Sequence, residues 1–261
     1  MIPSWLVTPY FFDQRDAALK KAVPRSVSFT INDPGGITDR SASSLARLHR
    51  PIAEFVASAV EQGNLPISVA GDCGAGLPVM AGLQKAGLDP VLVWLDAHGD
   101  FNTIETSPSG FLGGMPLAMM VGPGDMPIPE KSGLSPVAEK NVWLIGARDL
   151  DPLEALALEK SRIHRMALDG LADLKFDRPV YLHIDNDIVD AREVPANNYP
   201  VAGGPSLEEV IRLCTGFAAR NSLCAVSLSG WNGQLDEDGK TSRACRLLLA
   251  SVLASAVEAQ Q

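Results

Sequence analysis

Residues 91–102, VLVWLDAHGDFN, decide the fold of this 261-residue chain. The first five residues are all apolar, as in a central parallel strand that is buried on both faces. Asp96, His98 and Asp100 follow at alternating positions, and alternating residues of a strand share one face. If the strand geometry continues that far, the three side chains leave its carboxyl end together, where open α/β sheets bind their ligands.

A second stretch, residues 180–190 (VYLHIDNDIVD), repeats the pattern and brings in Asp185 and Asp187. Two strands that each end in spaced carboxylates predict two walls of one site for hard cations. Buried carboxylates at this density repel one another and are costly to desolvate unless cations neutralise them. A polar loop that closes a strand explains either stretch alone, but the two together favour a metal site.

Composition excludes several classes of protein. The chain has 22 basic and 31 acidic residues, a net charge of −9, which disfavours nucleic acid and anionic membranes as partners. The sequence has no run of 18 apolar residues, so no transmembrane helix is expected. Its start lacks the basic region of a signal peptide. Its four cysteines show no CxxC spacing, so we expect a reduced, cytoplasmic protein.

Strand and helix patterns alternate along the chain, which predicts one three-layer α/β domain over residues 1–261, with a mostly parallel central sheet flanked by helices. The predicted strands are 5–9, 66–70, 91–95, 141–146, 180–184 and 223–228. The predicted helices are 41–62, 77–86, 115–121, 151–160, 206–219 and 241–256. Pro51 should kink or break the first helix, and residues 122–136 read as a surface excursion.

Other candidate sites are weaker. The turn at residues 71–76, GDCGAG, invites a phosphate-loop interpretation, but it matches neither the dinucleotide fingerprint nor a Walker loop. His49 and His164 are expected on the surface. His183, two residues before Asp185, is expected to support the site rather than to bind metal.

Three segments together resemble the arginase/agmatinase ureohydrolase family: DAHGDFN at 96–102, TSPSGFLGGMPL at 106–117, and IDND at 184–187 with Asp190 and Pro195 beyond it. The resemblance implies an α/β fold with a parallel sheet and two manganese ions that share a bridging hydroxide. It also implies hydrolysis of guanidino groups to urea and an amine.

The same resemblance assigns metal ligands residue by residue. It implies that Asp96 and Asp185 bind both ions and hold the hydroxide, Asp100 and Cys73 the first ion, and His98 and Asp187 the second. Cys73 stands where the family has a histidine, so its thiolate would make the site more electron-rich and a bound water less acidic. The alternative is that Cys73 is only a small residue in a collapsed site that lacks the first ion.

The resemblance also assigns the substrate end of the site. Asn102 and Ser109 match positions that hold the α-carboxylate in arginase, and Asp151 and Glu154 match those that hold the α-amino group. This pattern argues for a guanidino amino acid as the small-molecule partner, rather than a bare amine such as agmatine.

The departures from the family pattern concern the reacting end. Gly113 stands where arginase has its general acid/base histidine, no glutamate near residues 229–230 can grip a guanidinium, and Tyr199 replaces a threonine. No general acid/base of the protein is therefore assigned. General acid/base catalysis typically contributes 10²–10⁴-fold, so arginine should be a poor substrate. An N-hydroxylated guanidine is less basic, and its own hydroxyl can exchange protons.

Within the family, these features resemble the N-omega-hydroxy-L-arginine amidinohydrolases of D-cycloserine biosynthesis. That resemblance implies hydroxyurea and L-ornithine as products. An ordinary arginase-like ureohydrolase that releases urea and a noncatalytic amino-acid-binding relative stay open, and a deacetylase on the same fold is weaker. The extended C-terminal tail of arginase trimers has no counterpart here, so we expect a monomer.

Overall fold

The computed structural model describes residues 1–122 and 127–258. In chain order its strands are β1 (Pro3–Thr8), β2 (Tyr10–Phe11), β3 (Gln14–Arg15), β4 (Thr30–Ile31), β5 (Leu65–Ala70), β6 (Val91–Leu95), β7 (Val142–Ile145), β8 (His164–Met166), β9 (Val180–Asp185) and β10 (Leu223–Ser229). Its helices are α1 (Ala42–Glu61), α2 (Gly76–Lys85), α3 (Pro116–Val121), α4 (Pro127–Lys131), α5 (Pro152–Lys160), α6 (Leu207–Ala218) and α7 (Lys240–Glu258).

Eight strands form one sheet in the order β4-β1-β5-β10-β9-β6-β7-β8. Every pairing within it is parallel, while β2 and β3 form a separate antiparallel hairpin. Parallel neighbours need crossover connections, and helices supply them between most of the longer strands. The predicted α/β fold with a parallel central sheet is confirmed; its extent as a single domain over residues 1–261 stays a prediction.

The apolar run of β6 lies between two hydrophobic cores, as its sequence predicts. Val93 and Leu95 pack into the core that contains residues of α6 and α7. Leu92 and Trp94 point the other way, into the core that contains residues of α1, α2 and α3. The sheet is therefore the middle layer of three, and β6 has no polar face on which to place a ligand until it ends.

Two features of α1 bear on the sequence predictions. Pro51 does not break it into two helices, because one face of this 20-residue helix is buried along its length, and that packing outweighs the loss of one backbone hydrogen bond; a kink at Pro51 stays a prediction. His49 is buried rather than exposed, and its Nδ1 lies 2.6 Å from Ser132 Oγ. Its burial lowers the pKa of the imidazole to about 4. His164, by contrast, is exposed on β8 as expected.

The elements that the sequence analysis missed are mainly short ones. The edge strands β4 and β8 have two and three residues, too few for a periodic pattern to show. The expected excursion at 122–136 contains α4, and its residues 123–126 lie outside the described part of the chain. Across the described ranges, none of the helices combines the length and apolar character that a membrane crossing requires.

Candidate metal centre

The polar residues of the predicted site follow the carboxyl ends of three strands of the sheet. Cys73 lies in a short turn after β5, Asp96 follows β6 directly, and Asp185 is the last residue of β9. Parallel strands all end at the same edge of the sheet, so side chains from distant parts of the sequence meet there.

Two overlapping groups of potential ligands form at this edge. Ligand atoms of Cys73, Asp96 and Asp100 lie within 4.8 Å of one another, and so do those of Asp96, His98 and Asp187. Asp185 completes the cluster, with its Oδ2 2.9 Å from Cys73 Sγ. All six predicted ligands are brought together, and Asp96 belongs to both groups.

The loop after β6 brings its ligands together by a route that strand alternation did not predict. The strand ends at Leu95, and Asp100 has a φ of +50°, a left-handed conformation that few residues other than glycine adopt. Gly99 lies so close to Glu154 that an added Cβ would sit 2.5 Å from Oε1. A tight loop against α5, not a continued strand, therefore aims Asp100 at Cys73.

Burial and mutual repulsion disfavour ionisation of these carboxyl groups in the absence of cations. Burial, with the charge of Asp187, raises the pKa of Asp185 to about 7. Burial, with the charge of Asp96, raises the pKa of Asp187 to about 6. Burial alone would lower the pKa of His98, but its hydrogen bonds with Asp187 and Asp96 raise it to about 12; Nδ1 lies 2.9 Å from Asp187 Oδ2.

The cluster fits a pair of divalent cations. Its four carboxylates are buried, and within residues 1–122 and 127–258 neither lysine nor arginine forms a salt bridge with any of them. Asp100 Oδ2 is buried without a hydrogen-bond partner there. Buried charge at this density requires compensation, and oxygen donors with one nitrogen and one sulfur suit divalent transition metals.

A pocket of about 280 Å³ opens over the cluster. Its lining includes all four predicted substrate-binding residues: Asn102, Ser109, Asp151 and Glu154. Asn102 Nδ2 donates to Asp151 Oδ2 at 2.9 Å, which joins the expected carboxylate-binding and amine-binding sides. A larger open groove of about 730 Å³ beside α1 and α2 contains none of these residues.

Glu154 has a structural role that the sequence resemblance did not suggest. Its Oε1 accepts a hydrogen bond from Phe101 N at 2.8 Å, and its Oε2 accepts one from Asp151 N at 3.1 Å. The carboxylate therefore ties the ligand-bearing loop to the start of α5. Burial raises its pKa despite these two hydrogen bonds.

The two glycines at the reacting end are enclosed by neighbouring side chains. A Cβ on Gly113 would lie 2.2 Å from the ring of Phe111, and a Cβ on Gly230 would lie 2.1 Å from Asp185 Oδ1. Gly230 also has a φ of +82°, which strains any L side chain. Neither position accepts a side chain unless Phe111 or Asp185 moves.

Aromatic rings form one wall of the pocket, a feature that the sequence analysis missed. Phe111 lies between Phe11, whose ring is stacked at a centroid distance of 6.4 Å, and Tyr199, at 5.0 Å. The guanidinium of Arg40 lies 5.9 Å from the Phe111 ring centroid. The three rings come from distant parts of the chain, so no local pattern marked them as one surface.

Further contacts behind the carboxylates were also missed. Trp94 Nε1 donates to Asp96 Oδ2 at 3.1 Å, and Asn197 Nδ2 contacts Asp185 Oδ1 at 3.4 Å. Trp94 was visible only as an apolar residue of β6, and Asn197 lies in an irregular loop without a sequence signal.

Comparisons with known proteins identify the family of the chain. The arginase family matches residues 13–254. The arginase of Brevibacillus brevis is 32% identical over 216 residues, which cover 77% of this chain and 72% of that protein. The arginase of Bacillus caldovelox is 29% identical over 245 residues, covering 88% of this chain and 82% of that protein.

Solved structures give the same result. A structure of the Bacillus caldovelox arginase superposes with a TM-score of 0.86 at 25% identity, over 96% of this chain and 97% of that one. The agmatine ureohydrolase of Thermoplasma volcanium shares the fold, with a TM-score of 0.73 at 16% identity over 98% of this chain and 90% of that one. Because the family match spans nearly the whole sequence, the chain belongs to the arginase family.

Proposed function

We propose that this chain is a binuclear-metal amidinohydrolase that converts N-omega-hydroxy-L-arginine and water to hydroxyurea and L-ornithine. The packing at Gly113 and Gly230 carries the proposal. The family resemblance expects a general acid/base at residue 113 and a guanidinium-binding acid near residues 229–230, and a Cβ would lie 2.2 Å from Phe111 at the first position and 2.1 Å from Asp185 at Gly230.

The chemistry of the substrate supplies what these positions lack. General acid/base help is typically worth 10²–10⁴-fold, or about 3–5 kcal/mol of activation free energy. An electronegative hydroxyl lowers the basicity of a guanidine, so its neutral form is accessible near neutral pH. The same hydroxyl can exchange protons while water adds to the guanidine carbon, the bond to the ornithine nitrogen breaks, and the leaving amine takes a proton.

The residues of the chain divide between the two ends of the pocket. Asp96 and Asp185 would bind both ions, Cys73 and Asp100 the first, and His98 and Asp187 the second. When bound, two divalent cations, in our proposal Mn²⁺, supply Lewis acidity and lower the pKa of a water molecule. At the outer end, Asn102 and Ser109 would bind the substrate α-carboxylate, and Asp151 and Glu154 its α-amino group.

An ordinary arginase-like activity that releases urea is the second candidate. The relatives with the sequence similarity described above are named arginases, and all four substrate-end residues line the pocket here. On this alternative, ordered water or a displaced side chain would replace the missing histidine.

Product identification separates the candidates. The manganese-loaded protein is given L-arginine, N-omega-hydroxy-L-arginine or agmatine, and urea, hydroxyurea, ornithine and putrescine are quantified, with Asp185→Asn as the inactive control. We expect hydroxyurea and ornithine, at a kcat/KM well above that for urea release. A kcat/KM for arginine equal to or above that for hydroxyarginine would identify an arginase, and two bound ions without turnover would identify a noncatalytic binding protein.

We also propose a cytoplasmic protein without nucleic-acid or membrane partners, on the basis of charge and composition, and a monomer in solution. Light scattering coupled to size exclusion tests the monomer directly.

A further inference from the structure

A row of buried polar side chains lies behind Cys73. Ser229 Oγ is 3.0 Å from Cys73 Sγ and 3.3 Å from His183 Nε2. Ser227 Oγ is 2.7 Å from His183 Nδ1 and 2.7 Å from the hydroxyl of Tyr181. Most polar groups this deep in a core are hydrogen-bonded, and each side chain of this row has a partner.

The sheet itself holds the row in line. Tyr181 and His183 are alternate residues of β9, and Ser227 and Ser229 are alternate residues of β10, so all four share one face. The strand register places Ser227 opposite His183. The His183 ring stacks on Trp94 at a centroid distance of 3.6 Å, which fixes the plane in which its two nitrogens point.

The direction of the hydrogen bonds follows from the ends of the row. Tyr181 has Ser227 as its hydrogen-bond partner within the described chain, so the phenol donates to Ser227. Ser227 then donates to His183 Nδ1, His183 Nε2–H donates to Ser229, and Ser229 donates to Cys73 Sγ. In the opposite direction the phenol proton would have no acceptor among the described residues.

The contact of Cys73 with Asp185 supports the same direction. Cys73 Sγ lies 2.9 Å from Asp185 Oδ2, so its single S–H proton belongs to the carboxylate side. Sulfur is then free to accept from Ser229. The same sulfur lies 3.9 Å from Asp96 Oδ2, so Ser229 contacts Cys73 from behind while the sulfur faces the carboxylates.

We propose that Ser229 is the positioning residue for Cys73, a hydrogen-bond donor that orients its thiolate and is itself oriented by His183, Ser227 and Tyr181. The inference rests on the proposed function, because it takes Cys73 as a metal ligand. A metal-binding histidine gives its second N–H to an acceptor, whereas a thiolate has no proton to give and needs a donor behind it. The row ends in a hydrogen-bond donor, which suits a cysteine ligand at position 73 rather than a histidine.

Cobalt provides a readout that does not depend on activity. Wild-type protein, Ser229→Ala and a control, Ser68→Ala, are titrated with Co²⁺ by calorimetry and by near-ultraviolet absorption. Ser68 is a matched control because it is a buried serine on neighbouring β5, opposite Ser227 in the register, and its Oγ has no hydrogen-bond partner in the described chain.

We expect a thiolate-to-cobalt charge-transfer band in the wild type and in Ser68→Ala. In Ser229→Ala the band should move to lower energy, because loss of the donor destabilises the thiolate. The affinity for the ion that Cys73 binds should fall roughly 10–100-fold, the usual effect of removing an outer-shell partner. In a Cys73→Ala background, Ser229→Ala should cause no further loss of affinity.

The outcomes separate the two levels of inference. Two bound cobalt ions without a thiolate band in the wild type would show that Cys73 is not a ligand, and both the ligand set and this inference would fail. A wild-type band that Ser229→Ala leaves unchanged, with unchanged affinity, would overturn the inference alone. If Ser229→Ala does not fold, Tyr181→Phe takes its place; a smaller shift in the same direction supports the row, and no shift refutes it.

Discussion

Replacing Glu154 with glutamine tests how the ligand-bearing loop is held in place. Both carboxylate oxygens accept backbone hydrogen bonds, from Phe101 N at 2.8 Å and Asp151 N at 3.1 Å, and the side chain is only 3% exposed. Glutamine keeps one acceptor oxygen, but its NH2 group would face the second backbone N–H. Two donors would then face each other. One of the two contacts is lost and a buried donor is left without a partner.

The magnitude follows from those two contacts. A hydrogen bond to a charged group is worth about 1.5–3 kcal/mol, and an unsatisfied buried donor costs about 1–3 kcal/mol. Glutamine is neutral, so its burial costs less free energy than burial of the Glu154 carboxylate, whose desolvation raises its pKa. This difference offsets part of the loss. We therefore expect a net loss of about 2 kcal/mol in the free energy of unfolding, and a Tm lower by about 4–8 °C for a chain of this size.

Thermal unfolding of the manganese-loaded protein measures this loss, with Glu159→Gln, an exposed glutamate on the same helix, as the control. Steady-state kinetics should show a lower kcat together with a higher KM, because the loop carries His98 and Asp100 as well as Asn102. A Tm equal to that of the Glu159 control would refute the anchoring role of Glu154. A higher KM at an unchanged Tm would leave Glu154 a substrate contact only.

Three further predictions address the metal centre and the pocket. After the metal is removed by chelation, the free energy of unfolding should fall as pH rises from about 4 to about 7. In the folded protein the pKa values of Asp187 and Asp185 are about 6 and about 7, above their ordinary value. The folded protein therefore binds more protons than the unfolded chain across that window. Denaturant titrations at several pH values should show this slope without metal and lose it with metal; equal slopes would contradict metal compensation. Asp187→Asn should reduce the metal content from two ions per chain to one, and should reduce turnover by more than the roughly 10–100-fold typical of outer-shell changes; elemental analysis that finds two ions would contradict its assignment. Gly113→Ala should displace the Phe111 ring, cost about 1–3 kcal/mol of stability through overpacking, and raise KM more than it lowers kcat; unchanged kinetics and Tm would show that the ring is not fixed there.

Much of the architecture could be predicted from the sequence, and so could which residues meet at the carboxyl edge of the sheet. The run of β6 has no polar face and that of β9 is mostly apolar, so both were predicted as central strands, with the acids at their ends at one edge of a parallel sheet. Cys73, Gly113 and the missing glutamate near residues 229–230 were recognised as departures from the family pattern. These features are local: a periodicity or a fixed spacing survives in the sequence whatever the rest of the chain does.

Only the tertiary structure decided how those residues are arranged and what supports them. Asp100 reaches Cys73 through a left-handed loop held by Glu154, and the aromatic wall includes Phe11 from the first hairpin. His49 is buried against Ser132 although Arg47 and Arg50 lie close to it in the sequence. The donor row behind Cys73 depends on β10 lying beside β9, which no pattern in either strand specifies. Contacts between residues far apart in sequence depend on strand order and register, and these are set by the packing of the whole chain rather than by any segment of it.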